Sequence, residues 1–494
     1  MNARSDTTPK RAQDVSRWDH EIDVLVVGFG ATGACTAIEA VKSGADTLVL
    51  ESRWRGGGSS ADSTAQIYMG GGTPLQKACG VEDTPEEMYK YLMASCGPGV
   101  DEEKIRCFCD RSVEHYHWLT EQGLAFDSGF VPYEVSTMPH PGQSLTFTGS
   151  ERAYPYCEIA RPAPRGHTLQ KDGFGSGELM MQLLMKAAED AGAKVMNEAT
   201  AKTLVVEESG EVIGAVAQIG GQETFIRARR GVVLTTGGFV RNQEMLRWYA
   251  PHVMGGGREV SAEGCDDGSG IRIGIGAGGA AVRMDAVCVV LGFAYGNRNH
   301  IRGILVNAQG QRYINEDVYQ SSHGEIALKR QSGNVYLVID DSIYAPPTHE
   351  VDLEGVTYPV AAVGETHAEL ESELGMPEGS LSHTLAVYNE HAARGEDPYF
   401  RKESVWLQAL DKPPYAALDL RFGHSPYSIF TLGGLRTQTT GEVVDADSNV
   451  VPGLYAAGRT ASGIPAQGYN SGLSLGDCTF TGRLAGVSAG ARKA

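Results

Sequence analysis

The order of apolar and polar positions along the chain predicts a β-α-β unit near the N-terminus. Residues 22–52 contain a continuous apolar run, a glycine-rich turn, a helical pattern over 34–43 and a second apolar run over 47–50. A continuous apolar run of this length is typical of a strand that is buried on both faces of a sheet. The glycine at position 44 marks the predicted end of the helix.

The same pattern divides the rest of the chain. Helical periodicity returns over 84–123 and 177–193, and the alternation over 194–239, broken by two glycine-containing turns, predicts strands. From about residue 280 to 430 glycine becomes rarer and Tyr and His become commoner. After residue 430, glycine-rich segments occur again. We therefore predict an α/β chain in which both ends build a Rossmann-like nucleotide-binding domain around an inserted α+β domain. The predicted segments are a flexible arm (1–19), the first part of the binding domain (20–280), the insertion (281–430) and the C-terminal part (431–494).

A glycine-rich turn in the first unit points to a dinucleotide. The sequence GFGATG places Gly28, Gly30 and Gly33 between a predicted strand and helix, and the next strand ends in Glu51. Such glycines let the backbone approach a pyrophosphate at the helix N-terminus, and the acid accepts hydrogen bonds from a ribose diol. NAD and FAD both use this fingerprint. Three further segments rich in glycine and hydroxyls, GGGSSADSTAQ, VVLTTGGF and VPGLYAAGR, favour the longer ligand, FAD.

Composition excludes some partners. The chain of 494 residues has 42 Lys and Arg against 61 Asp and Glu, a net charge of −19, which argues against nucleic acid or an anionic membrane surface. No apolar run approaches the roughly 20 residues of a transmembrane helix. The nine cysteines show no CxxC or metal-like spacing, so we expect reduced thiols, no metal site and a cytoplasmic protein.

Eight motifs, in order, resemble the fumarate reductase/succinate dehydrogenase flavoprotein superfamily over nearly the whole chain. They are GxGxxG with Glu51, GGSS, TTGGF, GCDDGSG, GQRYINED, TLGGL, GLYAAGR and SGLSLGD. The resemblance implies FAD as the cofactor and an inserted capping domain that carries catalysis. No His occupies the position used for covalent flavin attachment in succinate dehydrogenase, so we expect non-covalent FAD.

The resemblance also assigns roles to matching positions. It implies that Glu51 binds the adenosine ribose, that Ser59 and Ser60 bind the phosphate or ribityl region, and that Asp267 holds a ribityl or phosphate-side hydroxyl. The full predicted cofactor set is Gly28, Gly30, Ala31, Thr32, Gly33, Glu51, Ser52, Gly58, Ser59, Ser60, Ser63, Thr64, Ala201, Thr236, Gly237, Asn242, Asp267, Gly458, Arg459, Gly472, Ser474 and Leu475.

The last predicted helix has a separate physical role. The resemblance places the backbone N–H groups of Ser474 and Leu475 at the pyrimidine end of the flavin. A helix N-terminus carries partial positive charge, which stabilises negative charge on a reduced flavin.

The residues at the substrate end differ from those of the dicarboxylate enzymes. Where the superfamily carries a His, this chain has Ile429 and Phe430; where it carries two arginines, this chain has Ser471 and Tyr319. A dianion would leave its charge uncompensated there, at a cost of several kcal/mol. A large apolar substrate with one carbonyl fits better.

Within the superfamily these residues resemble the 3-ketosteroid dehydrogenases, and the segments EDVY and SGIPAQGYNSGLSLGD are most similar to the Δ4-(5α) type. That resemblance implies conversion of a 3-oxo-5α-steroid to the 4-ene-3-one, with Tyr319, Tyr469 and Ser471 as catalytic residues. Ser471 would take the C4 proton, the tyrosines would raise its basicity and relay the proton, and the C5 hydride would pass to flavin N5. The implied substrate pocket contains Ile429, Phe430 and Gly472, whose N–H would polarise the ketone.

Three alternatives stay open at this stage. The Δ1-dehydrogenases of the same family also use tyrosines around the flavin. An enone or fumarate-type reductase would run the reaction in reverse, and a flavoprotein redox sensor would bind the cofactor without turnover. The electron acceptor is not specified by any motif.

Overall fold

The structure is a computed structural model that describes residues 7–130, 142–169, 176–255, 258–260, 266–294, 297–344 and 358–493. Its strands are β1 (Lys10–Arg11), β2 (His20–Val27), β3 (Thr47–Leu50), β4 (Gln66–Tyr68), β5 (Leu145–Thr146), β6 (Gly166–Thr168), β7 (Lys194–Met196), β8 (Ala199–Val206), β9 (Val212–Ile219), β10 (Gln222–Leu234), β11 (Arg258–Val260), β12 (Ala281–Val282), β13 (Val287–Val290), β14 (Ile304–Asn307), β15 (Val335–Asp340), β16 (Val360–Gly364), β17 (Tyr415–Asp419), β18 (Tyr427–Thr431), β19 (Gly434–Leu435), β20 (Glu442–Val444) and β21 (Val450–Ala456).

The α-helices are α1 (Ala31–Lys42), α2 (Gly58–Ala61), α3 (Pro74–Ala78), α4 (Pro85–Ser95), α5 (Glu102–Glu121), α6 (Tyr156–Ile159), α7 (Ser176–Ala191), α8 (Gln243–Tyr249), α9 (Ser269–Gly276), α10 (Gln320–Arg330), α11 (Asp341–Tyr344), α12 (His367–Glu373), α13 (Ser380–Ala392) and α14 (Leu473–Ala491). Short 3-10 helices span Ala12–Asp14, Pro251–Val253, Arg298–Arg302, Ser404–Trp406 and Gly458–Thr460. In the part of the chain that the structure describes, no helix combines the length and apolar character that crossing a bilayer requires.

The main sheet has nine strands and joins both ends of the chain. Its order is β1-β8-β9-β10-β2-β3-β7, with β21 also paired to β10 and β20 paired to β21. Strand β10 runs parallel to both β2 and β21, and β2 runs parallel to β3. Their carboxyl ends therefore meet at one edge of the sheet, which is where open α/β sheets bind ligands.

Strand β2 is buried on both faces, as its apolar run predicts. Val24 and Val26 pack with α1, α7 and α14 on one face, whereas Leu25 and Val27 pack with residues of β8, β9 and α9 on the other. All four side chains are at most 5% exposed. The α/β fold class predicted from the sequence is confirmed.

The insertion contains two smaller sheets, β14-β15-β17-β16 and β11-β18-β13. Helices α10, α12 and α13 cover the first of these sheets in a shared apolar core. Where the chain enters and leaves this region, β12 pairs antiparallel with β19, residue Ala281 opposite Leu435. The predicted boundaries at 281 and 430 lie beside this pair.

Two short segments differ from the predicted division. Lys10 and Arg11, within the expected flexible arm, pair with Val205 and Val206 as an edge strand, because a sheet edge accepts any extended backbone. Strand β11 belongs by sequence to the first part of the binding domain but pairs with β18 of the insertion. Polar composition and glycine content, on which the division was based, do not report strand pairing.

Candidate active site

A cavity of about 850 Å³ lies at the carboxyl ends of the parallel strands. It is near the upper end of the roughly 300–1,000 Å³ of small-molecule sites. Residues from the first β-α-β unit, from the insertion and from the start of α14 line it. The fold therefore brings together the segments that the sequence singled out at both ends of the chain.

The glycine-rich turn has the geometry of a dinucleotide site. Gly28 has φ +103°, and a Cβ there would lie 2.6 Å from the carbonyl oxygen of Thr235. A Cβ on Gly33 would lie 1.9 Å from the Gly28 carbonyl oxygen, so Gly33 serves helix packing and does not line the cavity. By contrast, a Cβ on Gly30 would meet nothing closer than 3.7 Å, since Gly30 faces the open cavity at the N-terminus of α1.

Glu51 is fixed in place by backbone groups. Its carboxylate accepts hydrogen bonds from the N–H of Phe29 (3.0 Å) and of Arg53 (2.8 Å), and the residue is only 8% exposed. The hydroxyl of Ser52 donates to the same carboxylate at 3.2 Å. The buried Glu51 carboxylate, held beside the carboxyl ends of β2 and β3, can accept hydrogen bonds from a ribose diol.

An aspartate beside the predicted one lines the cavity. Asp266 accepts from Arg459 (2.7 Å), the Gly238 N–H (3.0 Å) and the Ser59 hydroxyl (3.3 Å), and it is 3% exposed. Asp267 is exposed, and its carboxylate accepts from the Ser269 N–H instead. Asp267, predicted to hold a cofactor hydroxyl, does not line the cavity, whereas its neighbour Asp266 does. A loop has no periodicity that fixes which side chain turns inward.

Most of the predicted cofactor set lines the cavity. The lining includes Gly28, Gly30, Ala31, Thr32, Glu51, Ser52, Gly58, Ser59, Ser60, Ser63, Thr64, Ala201, Thr236, Gly237, Arg459, Gly472, Ser474 and Leu475. Asp266, Phe29 and Thr235 also line it and were missed.

Three predicted cofactor residues besides Asp267 and Gly33 need comment or correction. Asn242 caps α8 by accepting from the Met245 N–H (3.0 Å) and does not line the cavity. Gly458 lies behind the lining, where a Cβ would stand 2.3 Å from the Thr32 hydroxyl. Ser474 does line the cavity, but its N–H donates to the Tyr469 hydroxyl at 3.2 Å.

The three predicted catalytic residues come together at one end of the cavity. Tyr319 is the residue before α10, and Tyr469 and Ser471 lie in the loop that leads through Gly472 into α14. The ring centroids of Tyr319 and Tyr469 are 6.3 Å apart, and Phe430 meets Tyr469 edge-on at 5.2 Å. All four residues line the cavity.

Tyr469 is a neutral phenol in this environment. Burial raises its pKa well above the ordinary value, and this outweighs the opposing effect of the Ser474 N–H. Its oxygen accepts a hydrogen bond from the first turn of α14, so its own proton stays available for donation to a second oxygen.

Ile429 does not line the substrate end. It is fully buried in the core of the insertion, whereas Ser428 and Phe430 line the cavity. Side chains of a strand alternate between its faces, so β18 presents 428 and 430 on the side opposite to 429. Val290, the partner of Ser428 on β13, also lines the cavity. The alternation of side chains along a strand is the sequence signal that could have excluded Ile429 and indicated Ser428.

The substrate end of the cavity carries little charge. Among the described lining residues the arginines are Arg53, at the end of β3, and Arg459, which is paired with Asp266. The guanidinium carbon of Arg459 lies 5.6 Å from the Phe430 ring centroid. Since its counter-ion is already in place, Arg459 does not supply an uncompensated charge for a dicarboxylate.

The residues present fit FAD. The open face of Gly30, the fixed carboxylate of Glu51 and the N-terminus of α14 provide sites for a pyrophosphate, a ribose and an electron-rich ring along one cavity. Gly472 (φ +78°) allows the chain to pass so close to β4 that a Cβ would lie 2.8 Å from the Gln66 carbonyl oxygen.

Comparison with known proteins defines the class. A model of the FAD binding domain family matches residues 23–475, so the chain belongs to this family of flavin oxidoreductases and its cofactor is FAD. Within this class, the chain is 42% identical to a solved structure of 3-ketosteroid-Δ4-(5α)-dehydrogenase from Rhodococcus jostii RHA1 in complex with 4-androstene-3,17-dione. The two superpose with a TM-score of 0.92 over 98% of this chain and 99% of that one.

Two further relatives place the chain more broadly. It is 28% identical to 3-oxo-5-alpha-steroid 4-dehydrogenase of Comamonas testosteroni, over 90% of this chain and 94% of that protein. It is also 25% identical to a flavocytochrome c3 fumarate reductase structure, with a TM-score of 0.66 over 96% of this chain and 78% of that one. The predicted resemblance to the 3-ketosteroid dehydrogenases of the fumarate reductase superfamily is confirmed.

Proposed function

We propose that the protein oxidises a 3-oxo-5α-steroid by introducing the C4–C5 double bond. The observation that carries the proposal is the meeting of three uncharged hydroxyl residues, Tyr319, Tyr469 and Ser471, with apolar Phe430 at one end of the cofactor cavity. The similarity to two dehydrogenases named for this reaction supports it.

The reaction removes a proton from C4 and a hydride from C5. When bound, FAD supplies the acceptor for the hydride and its two electrons. The residues of the chain handle the proton and the carbonyl charge. Ser471 takes the C4 proton, while the Gly472 N–H donates to the 3-keto oxygen, on which negative charge develops.

The two tyrosines make a serine adequate as a base. A serine hydroxyl is too weak a base alone, so it must lose its own proton as it gains the one from C4. Tyr319 accepts that proton while it donates its own phenolic proton to Tyr469, whose ring centroid lies 6.3 Å away. Tyr469 in turn releases a proton to bulk water, so that both phenols end neutral. Burial of Tyr319 (3% exposed) keeps water from competing for these hydrogen bonds.

Anaerobic mixing of the yellow holoenzyme with 5α-androstane-3,17-dione tests the proposal. We expect loss of the oxidised-flavin absorbance and formation of 4-androstene-3,17-dione. Proton NMR of the product separates a C4–C5 double bond, which has one vinyl proton, from the C1–C2 bond made by a Δ1-dehydrogenase, which has two.

Succinate and fumarate serve as control substrates in the same assay. The apolar lining around Tyr319 predicts no turnover with either dianion. Persistent oxidised-flavin absorbance with every 3-ketosteroid would contradict the proposal and leave a non-catalytic flavoprotein as the better description. Release of the yellow colour on acid precipitation would establish that FAD is bound non-covalently.

A further inference from the structure

A buried turn on the N-terminal side of the site contacts both segments that carry the proposed catalytic residues. This turn, residues 148–151, lies after β5 and before α6, and its Ser150 and Glu151 are 3% and 1% exposed. It does not line the cavity, and the mechanism above assigns it no role.

Two hydrogen bonds join the turn to the catalytic segments. The hydroxyl oxygen of Ser150 accepts from the Tyr319 N–H at 2.9 Å. The carbonyl oxygen of Thr148 accepts from the Ser471 N–H at 2.7 Å. Residues only two apart in the turn therefore hold two residues that are far apart in sequence and lie on different domains.

A third contact closes the arrangement through Tyr91. The Ser150 N–H donates to the Tyr91 hydroxyl (2.9 Å), which donates to the side-chain oxygen of Asn470 (2.7 Å). Gly149 brings the backbone of the turn close to both segments. A Cβ on Gly149 would lie 2.7 Å from the side-chain oxygen of Asn470 and 3.5 Å from the Cβ of Tyr319.

The conformation of the turn depends on Glu151. Its carboxylate accepts from the Thr148 N–H (3.0 Å), the Gly149 N–H (2.7 Å) and the Thr148 hydroxyl. A carboxylate that accepts three local hydrogen bonds makes the backbone around it rigid. The Thr148 carbonyl oxygen and the Ser150 hydroxyl oxygen, which hold the catalytic segments, therefore keep a fixed separation.

We infer that the 148–151 turn is a positioning element that sets the distance between Tyr319 and Ser471, with Ser150 acting on Tyr319. The inference rests on the proposed function. Proton transfer between positioned groups is steep in distance, and a displacement of about 1 Å lowers a rate by about 100-fold. A turn that fixes both partners from one rigid unit meets that requirement.

The variant Ser150→Ala tests the inference, and Ser112→Ala is its matched control. Ser112 is an equally buried serine whose hydroxyl accepts the Gly70 N–H at 2.9 Å, away from the cavity lining. We expect Ser150→Ala to lower kcat by about 10- to 100-fold with little change in KM or FAD content. Ser112→Ala removes the same kind of bond and leaves kcat within about threefold.

The Tyr319→Phe background separates positioning from general damage. If Ser150 acts through Tyr319, adding Ser150→Ala to Tyr319→Phe costs less than threefold further, because residues that act as a unit are not additive. An equal loss in both backgrounds, or an equal loss with Ser112→Ala, overturns the inference.

Hydrogen–deuterium exchange gives a readout that does not need turnover. Peptides covering 317–321 and 470–473 should exchange faster in Ser150→Ala than in Ser112→Ala or the unmodified enzyme. Unchanged exchange in both peptides overturns the inference even if the steroid is oxidised. If instead the unmodified enzyme fails to oxidise the steroid, the proposed function fails while exchange still decides whether the turn holds both segments. If Ser150→Ala does not retain FAD, Tyr91→Phe, which breaks the hydrogen bond to Asn470, is compared with Ser112→Ala in the same assays.

Discussion

At the scale of single residues, the site differs from a dicarboxylate enzyme by replacing cations with neutral hydroxyls. Tyr319 and Ser471 stand where the superfamily resemblance expects arginines, and both line an end of the cavity that also holds Phe430. A guanidinium carries the positive charge that compensates a carboxylate, whereas the neutral hydroxyl of a tyrosine or serine adds no charge to balance a dianion. These substitutions suit a substrate that must lose a proton beside a ketone.

Tyr319→Phe and Ser471→Ala each test the proton path. We expect each to lower steroid turnover by at least about 100-fold, the scale of a positioned proton-transfer group, while FAD stays bound. Turnover and the ratio of flavin to protein absorbance are measured on the same purified samples. Yellow variants with unmodified rates would remove these residues from the mechanism.

Asp266 and Asp267 form a matched pair for testing cofactor binding. Asp266→Ala strands the buried Arg459 guanidinium and takes an acceptor from the Gly238 N–H, whereas Asp267→Ala removes an exposed carboxylate. Breaking a buried ion pair on one side costs about 3–5 kcal/mol. We therefore expect at least tenfold weaker FAD binding, measured by titrating the apoprotein, for Asp266→Ala alone. Equal losses of FAD affinity in the two variants would contradict a role for Asp266, rather than Asp267, in the cofactor site.

The predicted cofactor residues line the cavity where a motif fixes the backbone, and some lie outside it where no motif does. Gly28, Gly30 and Glu51 belong to a β-α-β unit whose turn and strand ends fix the path of the backbone, and all three line the cavity. Asp267 lies in a loop, where a shift of one residue changes which side chain faces inward. Ile429 lies outside the cavity for a different reason, since the alternation within β18 turns its side chain into the core.

At the scale of secondary structure elements, a buried ion network supports the segment that carries Tyr319. Glu316 contacts Lys402 at 2.9 Å and Arg312 at 2.6 Å, and Arg312 reaches Asp397 at 2.8 Å. Burial alone would raise the pKa of Glu316, but the two cations outweigh it and lower the pKa to about 2. The network ties the 312–319 segment to residues 397–402 of the same domain, and no local sequence pattern predicts such long-range pairing.

Asp317 in the same segment is only partly compensated, by the Glu403 N–H and Lys402, and makes stability depend on pH. Burial raises its pKa from 3.8 to about 6. The folded protein therefore binds the proton more tightly than the unfolded chain, and this stabilising contribution, complete below pH 4, is lost as pH rises through about 6. At about 1.4 kcal/mol per pKa unit, the shift corresponds to about 3 kcal/mol.

Asp317→Asn removes this titration while its side-chain oxygen can still accept from the Glu403 N–H. We expect the unfolding free energy of the variant relative to the unmodified protein to increase by up to about 3 kcal/mol between pH 4 and pH 7.5. Urea unfolding at several pH values measures this change, with Asp447→Asn, at an exposed position, as the control. A difference that does not vary with pH would contradict the raised pKa.

At the scale of the whole molecule, two helices join the ends of the chain. Gly482 and Gly486 of α14 face the backbone of α1, where a Cβ would lie 2.6 Å from the Thr32 carbonyl oxygen and 2.4 Å from that of Thr36. The Thr36 hydroxyl donates to the Gly482 carbonyl at 3.0 Å. The sequence predicted that both ends build one domain, but not this glycine contact, because glycines in a helix do not reveal which neighbour they approach.

The glycine contact links folding to cofactor binding, since α1 and α14 both begin at the cavity. Gly486→Val places a branched side chain against a backbone oxygen that cannot move aside, and overpacking of this kind costs about 1–3 kcal/mol. Pushing the helices apart also shifts the two N-termini that face the cofactor. We therefore expect a lower melting temperature together with at least tenfold weaker FAD binding, whereas Val487→Ala, at a position 44% exposed, changes neither. A variant that melts earlier but binds FAD as tightly would show that the helix ends stay in register, and that the chain termini contribute to stability without shaping the site.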